Sequence, residues 1–163
     1  MKILLVQYYT KNLKYAVISE KINKSYCEKF EIDYLSDTDD ETIKKVCDDR
    51  AFQWYKIKFL ENNLLKSDHD YIVYMDADAV FVNDQKDIRD IINLYPDKDL
   101  IINTDFGPDI VNTGVMIFKN TEWSKNFLSR IWEGGNKISR GKYKKDIWHE
   151  QTIMSAFVYI NAV

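Results

Sequence analysis

Apolar residues fall along this chain in two kinds of segment: short unbroken runs, and longer stretches at helical spacing. Ile3–Tyr8 is a run with the length of a buried parallel strand. Over Asn12–Phe30, an amphipathic stretch, the positions Leu13, Ala16, Val17, Glu20 and Ile22 keep roughly helical spacing and predict a helix. Phe30, Ile32 and Tyr34 then alternate with Glu31, Asp33 and Leu35, which predicts a second strand. An acidic turn, Ser36–Glu41, offers Asp39 or Asp40 as a cap for the next helix. Ile43, Val46, Phe52, Tyr55, Phe59, Leu60 and Leu64 fit one or two helices over Thr42–Leu65.

Tyr71–Met75 is the clearest strand, apolar or aromatic throughout. Asp87–Leu94 reads as a short helix that stops before Pro96, and Leu100–Asn103 and Val115–Phe118 read as strands. Thr121 begins a helix carrying Trp123, Phe127, Leu128, Ile131 and Trp132, which Gly134-Gly135 is expected to end. A polar, basic loop is expected over Lys137–Lys145, and apolar periodicity returns at Ile147–Ile160. Strands alternating with helices predict an α/β sandwich with a mainly parallel central sheet. The 163 residues suit one domain spanning 1–163, and no repeat, low-complexity tract or linker divides them.

Composition narrows the class. At 45% hydrophobic and 14% aromatic residues the chain has the means for a core, so wholesale disorder is excluded. No apolar run reaches the ~18–20 residues that cross a bilayer. The 23 basic residues against 26 acidic ones give a net charge of −3, which exerts no general pull on nucleic acid. Cys27 and Cys47 lack metal-ligand or redox spacing and read as structural thiols. The first residues have neither the apolar length nor the cleavage site of a secretory signal. A soluble chain in a reducing, cytoplasmic compartment is the expectation.

Candidate chemistry concentrates at Tyr71-Ile-Val-Tyr-Met-Asp-Ala-Asp-Ala-Val80. Asp76 and Asp78 end an apolar strand, where ligands of open α/β sheets bind. Adjacent carboxylates repel unless they share a cation or a proton. Mg²⁺ or Mn²⁺ suits such oxygen ligands and commonly binds substrate phosphate as well. The small Ala77 leaves room between them. Two enzyme classes use this strand: nucleotide-sugar glycosyltransferases, and haloacid-dehalogenase-like Mg²⁺-dependent phosphatases with Asp76 as nucleophile and Asp78 as general acid/base.

A second block separates the two. Asn112-Thr-Gly-Val-Met-Ile-Phe-Lys-Asn-Thr-Glu-Trp-Ser, followed by a helix ending near Trp132, resembles the "NTG, apolar strand, Asn-x-x-Trp-Ser" block of the galactosyl/xylosyltransferase family, glycosyltransferase family 34, whose members have the GT-A fold. Phe52-Gln-Trp-Tyr-Lys56 resembles that family's Trp-x-Lys helix, Tyr71–Asn83 its Asp-x-Asp strand, and His149-Glu-Gln-Thr152 its later Asp-Gln helix. Order and spacing hold from about Phe52 to Tyr159.

The resemblance implies a GT-A, Rossmann-like nucleotide-sugar-binding sandwich. It also implies a metal-dependent transfer of a hexose or related sugar from a nucleotide-diphosphate donor, a UDP-sugar by family habit, to a glycan or other hydroxyl acceptor with retention. Asp76 and Asp78 become the ligands of Mn²⁺ or Mg²⁺. Gln7, Tyr9 and Thr10, at the end of the first strand, become base-side donor contacts. Lys56, Asp76, Ala77, Asp105, Asn112, Thr113 and Gly114 complete the donor and substrate contacts, with Asp109 competing with Asp105. Glu150 and Gln151 become the catalytic pair. Glutamine is a poor nucleophile, so front-face displacement suits it better than a covalent intermediate, with the pair stabilising positive charge on the sugar. Two departures stand beside this. The family's anchor is missing, and its late metal-binding histidine falls beyond Val163, since neither His69 nor His149 sits in that motif. Either water or phosphate completes the metal shell or the chain is the donor-binding part of a longer protein, which keeps open a catalytically silent nucleotide-sugar-binding domain.

Overall fold

The fold, taken from a computed structural model, is described for residues 1–105, 107, 110–138 and 149–161. Its centre is one five-stranded sheet of β1 (Ile3–Tyr8), β2 (Asp33–Asp37), β3 (Tyr71–Met75), β4 (Leu100–Thr104) and β5 (Val111–Lys119), in the order β2-β1-β3-β5-β4. β1 pairs in parallel with β2 and β3, while β5 is antiparallel to both β3 and β4. Four strands therefore share one direction and only β5 is reversed, as a mainly parallel sheet requires. The reversal matters for function. It brings the start of β5 beside the ends of β3 and β4, with Val115 opposite Met75 and Val111 opposite Thr104.

The period-2 alternation of strand side chains splits the core into two layers. Ile3, Leu5, Tyr71, Val73, Met75 and Ile117 face one side, where α1 (Ala16–Lys29) and α4 (Ile88–Leu94) cover them. Leu4, Val6, Ile72, Tyr74, Met116 and Phe118 face the other, beneath α2 (Asp40–Cys47), α3 (Tyr55–Lys66), α5 (Glu122–Ile138) and α6 (Glu150–Asn161). Asp39 and Asp87 cap α2 and α4 by accepting from Glu41 N and Arg89 N, so the acidic turn acts as its composition predicts. Both cysteines are buried free thiols. Among the described residues no helix is long and apolar enough to cross a membrane.

Three local expectations are corrected. The second strand starts at Asp33, not Phe30, because Phe30 ends α1 and Glu31 turns the chain at φ 51°. As an edge strand, β2 tolerates its polar sequence. Gly134-Gly135 does not stop α5, which runs on to Ile138. A Cβ on Gly135 would stand 2.2 Å from the Trp54 ring. The glycine is there so that α5 can approach that indole. Lys137, the predicted start of the basic loop, therefore lies in α5, and residues 139–148, like Asp109, lie outside the described residues.

Candidate active site

Parallel strands open their C-terminal ends to one edge, and the candidate residues collect there. Asp76 follows β3 directly, and its N–H donates to Gly114 O at 2.7 Å, tying the Asp-x-Asp turn to β5. Lys56, on the first turn of α3, is buried beneath this turn. Its ammonium lies 3.0 Å from Asp76 Oδ1 and 2.9 Å from Glu150 Oε1, with Thr113 Oγ1 at 3.4 Å. Burial opposes the charge, but the Glu150 and Asp76 carboxylates outweigh it and hold Lys56 above its ordinary value.

Thr113 links β5 to the start of α6. Its hydroxyl donates to Glu150 Oε1 at 3.0 Å, and its N–H donates to Gln151 Oε1 at 3.2 Å. Gln151 Nε2 donates to Asp105 Oδ2 at 3.3 Å, as does Asn112 Nδ2 at 3.4 Å. Asn112 Oδ1 accepts from Gly114 N at 2.9 Å. The structure thus brings Lys56, Asp76, Asp105, Asn112, Thr113, Gly114, Glu150 and Gln151 into one connected network. Glu150 Oε2 is buried with no hydrogen-bond partner among the described residues. An orphaned carboxylate oxygen at a ligand edge is suited to a hydroxyl donor.

The base-side candidates are placed differently. Gln7 is buried, and its amide is spent inside the protein: Nε2 donates to Asp76 O at 3.1 Å, while Oε1 accepts from Asn23 at 3.0 Å and Tyr34 at 2.8 Å. Tyr9 is buried, and its hydroxyl donates to Glu20; burial and that bond push its phenol up to about 12. The Thr10 hydroxyl bonds Asn12. Of the three, Gln7 reaches the Lys56 network, through the bond of its Nε2 to the backbone oxygen of Asp76; Tyr9 and Thr10 bond elsewhere.

Other residues support the site without having been singled out. Tyr74 donates to Asp76 Oδ1 at 2.6 Å, and burial, first of all, holds its phenol well above the ordinary value. Period-2 spacing from Asp76 was the signal for it. Asn23, buried on α1, donates to Ala79 O at 2.9 Å and accepts from Phe81 N at 3.1 Å, so it pins the chain leaving Asp78. Asn23 keeps helical spacing with Ala16, Ser19, Tyr26 and Cys27, the other buried positions of α1, and that spacing is its sequence trace.

A divalent cation fits the residues present in one way. Asp76 Oδ1 is engaged by Lys56 and Tyr74, whereas Oδ2 faces Gly114, where an added Cβ would stand 3.2 Å away. Asp78, two residues on, is exposed. Among the described residues no group of three or more His, Cys, Asp or Glu gathers as a complete metal site. Asp76 and Asp78 would supply two hard oxygens to such a cation, and its other positions would fall to groups from outside the chain. His69 bonds Asp33 at 2.7 Å, at the opposite end of β3, and is no part of this site.

The profile of the nucleotide-diphospho-sugar transferase family matches residues 16–160. No curated protein matches the sequence. Among solved structures, a glycosyltransferase involved in glycosylation of the major capsid of PBCV-1 aligns at TM-score 0.71 and 15% identity, covering 100% of this chain and 77% of that one. The galactosyltransferase LgtC, solved in complex with donor and acceptor sugar analogs, aligns at 0.60 and 13%, covering 94% and 70%. The glycosyltransferase GlyE of Streptococcus pneumoniae TIGR4 aligns at 0.57 and 13%, covering 96% and 43%. At these identities the likeness is one of fold, and it bears out the GT-A architecture.

Proposed function

Because the chain belongs to the nucleotide-diphospho-sugar transferase family, and is on that ground a glycosyltransferase, we propose that it moves a hexose or related sugar from a UDP-type donor to a glycan or other hydroxyl acceptor, with a divalent metal and retention. Family membership also sets aside the phosphatase that the Asp-x-Asp strand left open. The observation that carries the proposal is the buried Lys56 ammonium, which contacts both Asp76 and Glu150. It joins the carboxylate that would face the diphosphate to the pair that would face the sugar.

Each residue then has work to do. Asp76 and Asp78 hold Mn²⁺ or Mg²⁺, which when bound offsets the charge of the departing diphosphate. Asp105 and Asn112 accept from and donate to sugar hydroxyls, and the unpartnered Glu150 Oε2 takes a further one. Both ends of the Gln151 amide are already held, by Thr113 and Asp105. An amide oxygen bound by donors is a weak nucleophile, which supports front-face displacement with Gln151 as a fixed dipole beside the reacting carbon. Gln7 holds the Asp-x-Asp turn in place from behind, and Tyr9 and Thr10 line the base side of the same edge.

Thermal shift with UDP, with and without Mn²⁺, tests the donor site. Metal-dependent stabilisation that disappears in Asp78→Ala supports the reading, since that side chain is exposed and its loss should leave the fold intact. Absence of any UDP response defeats it. Release of free sugar from UDP-glucose or UDP-galactose then separates a working transferase from a silent binding domain.

A further inference from the structure

Tyr74 buries a hydroxyl against one oxygen of Asp76. The residue is 1% exposed and lies in the middle of the sheet, between Val6 of β1 and Met116 of β5. Its ring stands 6.1 Å from that of Tyr8, and the Lys56 ammonium lies 5.2 Å from its centre. Close packing of this kind holds a ring in one rotamer. Two residues on, where the strand ends, Asp76 projects from the same face. The Tyr74 hydroxyl donates to its Oδ1 at 2.6 Å. Phenylalanine would fill the same space without the cost of burying a hydroxyl. The bond to Asp76 is what tyrosine adds at this position.

The same oxygen receives a second donor, the Lys56 ammonium at 3.0 Å. A carboxylate oxygen has about two lone pairs to offer, so those of Oδ1 are taken. Oδ2 is different. It accepts no hydrogen bond among the described residues, and it faces Gly114, where a Cβ would stand 3.2 Å away. The missing side chain keeps the approach to Oδ2 open. Asp78 is exposed, and its carboxylate has no partner among the described residues. The two carboxylates are therefore unequal: Asp76 is held with one oxygen available, and Asp78 is free to adjust. Asp76 sets the geometry that the pair presents.

We propose that Tyr74 is a positioning residue which, together with Lys56, makes Asp76 a one-oxygen ligand and so gives the site its preference for a small six-coordinate cation over Ca²⁺. Ca²⁺ takes about six to eight oxygens and accepts both oxygens of one carboxylate, whereas Mg²⁺ demands near-octahedral geometry. Mn²⁺ shares the octahedral oxygen preference. A carboxylate that offers a single fixed oxygen suits the octahedral ions and denies Ca²⁺ a two-oxygen contact. The inference rests on the metal reading proposed above and is independent of which sugar the site moves.

Calorimetric titration of the whole protein with Mn²⁺, and separately with Ca²⁺, each at saturating UDP, tests it. Tyr74→Phe keeps the ring and loses the hydroxyl, and should weaken Mn²⁺ binding about tenfold. Ca²⁺ binding should hold or tighten, because a lone pair of Oδ1 is released. The preference for Mn²⁺ over Ca²⁺ then falls by about tenfold or more. Tyr26→Phe deletes another buried hydroxyl, bonded to Lys86 O at 2.9 Å and Ile88 N at 2.8 Å on the opposite layer. It should leave both affinities unchanged even where it lowers Tm. In an Asp76→Ala background Tyr74→Phe should add nothing, since it acts through Asp76. Melting curves show that each variant is folded at the assay temperature. Mn²⁺ affinity equal to the parent's, an equal loss for both ions, or the same loss in Tyr26→Phe overturns the proposal and leaves the metal reading standing. A parent that binds neither ion at saturating UDP overturns the metal reading and this proposal with it.

Discussion

Replacing Lys56 by Met removes a buried cation that joins the end of β3 to β5 and α6. The ammonium contacts Glu150 at 2.9 Å and Asp76 at 3.0 Å. Glu150 is 3% exposed, so little solvent screens its contact with the ammonium. Asp76 is 36% exposed, and solvent screens its share of the interaction. The Glu150 contact therefore dominates, and leaving a buried charge without its partner costs about 3–5 kcal/mol. For a chain of this size that is a fall in Tm of roughly 6–20 °C. Urea unfolding followed by tryptophan fluorescence reads the loss directly. Lys56→Met with Glu150→Gln should regain part of it, because the orphaned charge leaves with the lysine. The pH dependence has a fixed sign. The lysine's folded value lies above its unfolded 10.5, so its contribution is complete below about 10.5 and fades only as pH rises through the higher folded value. The gap between parent and Lys56→Met should hold through neutral pH and close in strong alkali. A loss under about 1 kcal/mol at pH 7, or a double variant no more stable than the single one, would refute the reasoning.

Gly114→Ala sets a Cβ 3.0 Å from Asn112 Oδ1 and 3.2 Å from Asp76 Oδ2; stability should fall by about 1–2 kcal/mol, while the Mn²⁺-dependent response to UDP falls more, as titration of the metal at fixed UDP will show. Gly135→Ala, whose Cβ meets the Trp54 ring at 2.2 Å, should cost about 3 kcal/mol in urea unfolding with a shifted Trp emission; an unshifted, equally stable variant would show that α5 does not need the glycine. Tyr9 and Tyr26 are each pushed up to about 12, first by burial, from an unfolded 10. Their contribution is complete below pH 10 and is lost towards pH 12, so stability should fall over that window and fall less in Tyr9→Phe.

The parts of this molecule legible in its sequence are those written locally. Tyr71–Met75 with Asp76 and Asp78, and Asn112-Thr113-Gly114 ahead of an apolar run, each declare a strand and a ligand edge within a few residues. What joins them was not legible. Lys56 meets Glu150 only because β5 runs backwards and delivers Thr113 to the end of β3, and nothing near either residue encodes that reversal. Gly134-Gly135 misled for a related reason: a strong local stop signal yields to the packing of α5 on Trp54, which is distant in sequence. Gln7 and Tyr9 were placed at the right end of the right strand. Their side chains turn inward to Asn23, Tyr34 and Glu20, on elements whose positions only the fold determines. Tyr74, by contrast, was readable from period-2 spacing alone.

The same geometry decides what can meet the donor's diphosphate. An ammonium has three N–H donors, and those of Lys56 face Asp76, Glu150 and Thr113. Asp76 and Glu150 contact it, Asp105 joins the same network through Gln151 and Asn112, and Asp78 is exposed two residues beyond Asp76, so the edge is rich in carboxylates among the described residues. A diphosphate arriving without a cation meets like charge and a lysine already engaged. UDP in the presence of a chelator should accordingly leave Tm unchanged, and Mn²⁺ should restore the shift. If Lys56 itself were the diphosphate's counter-charge, metal-free UDP would raise Tm in the parent and fail to do so in Lys56→Met. That pair of results would recast the lysine as a donor contact rather than the clamp that its buried position makes it.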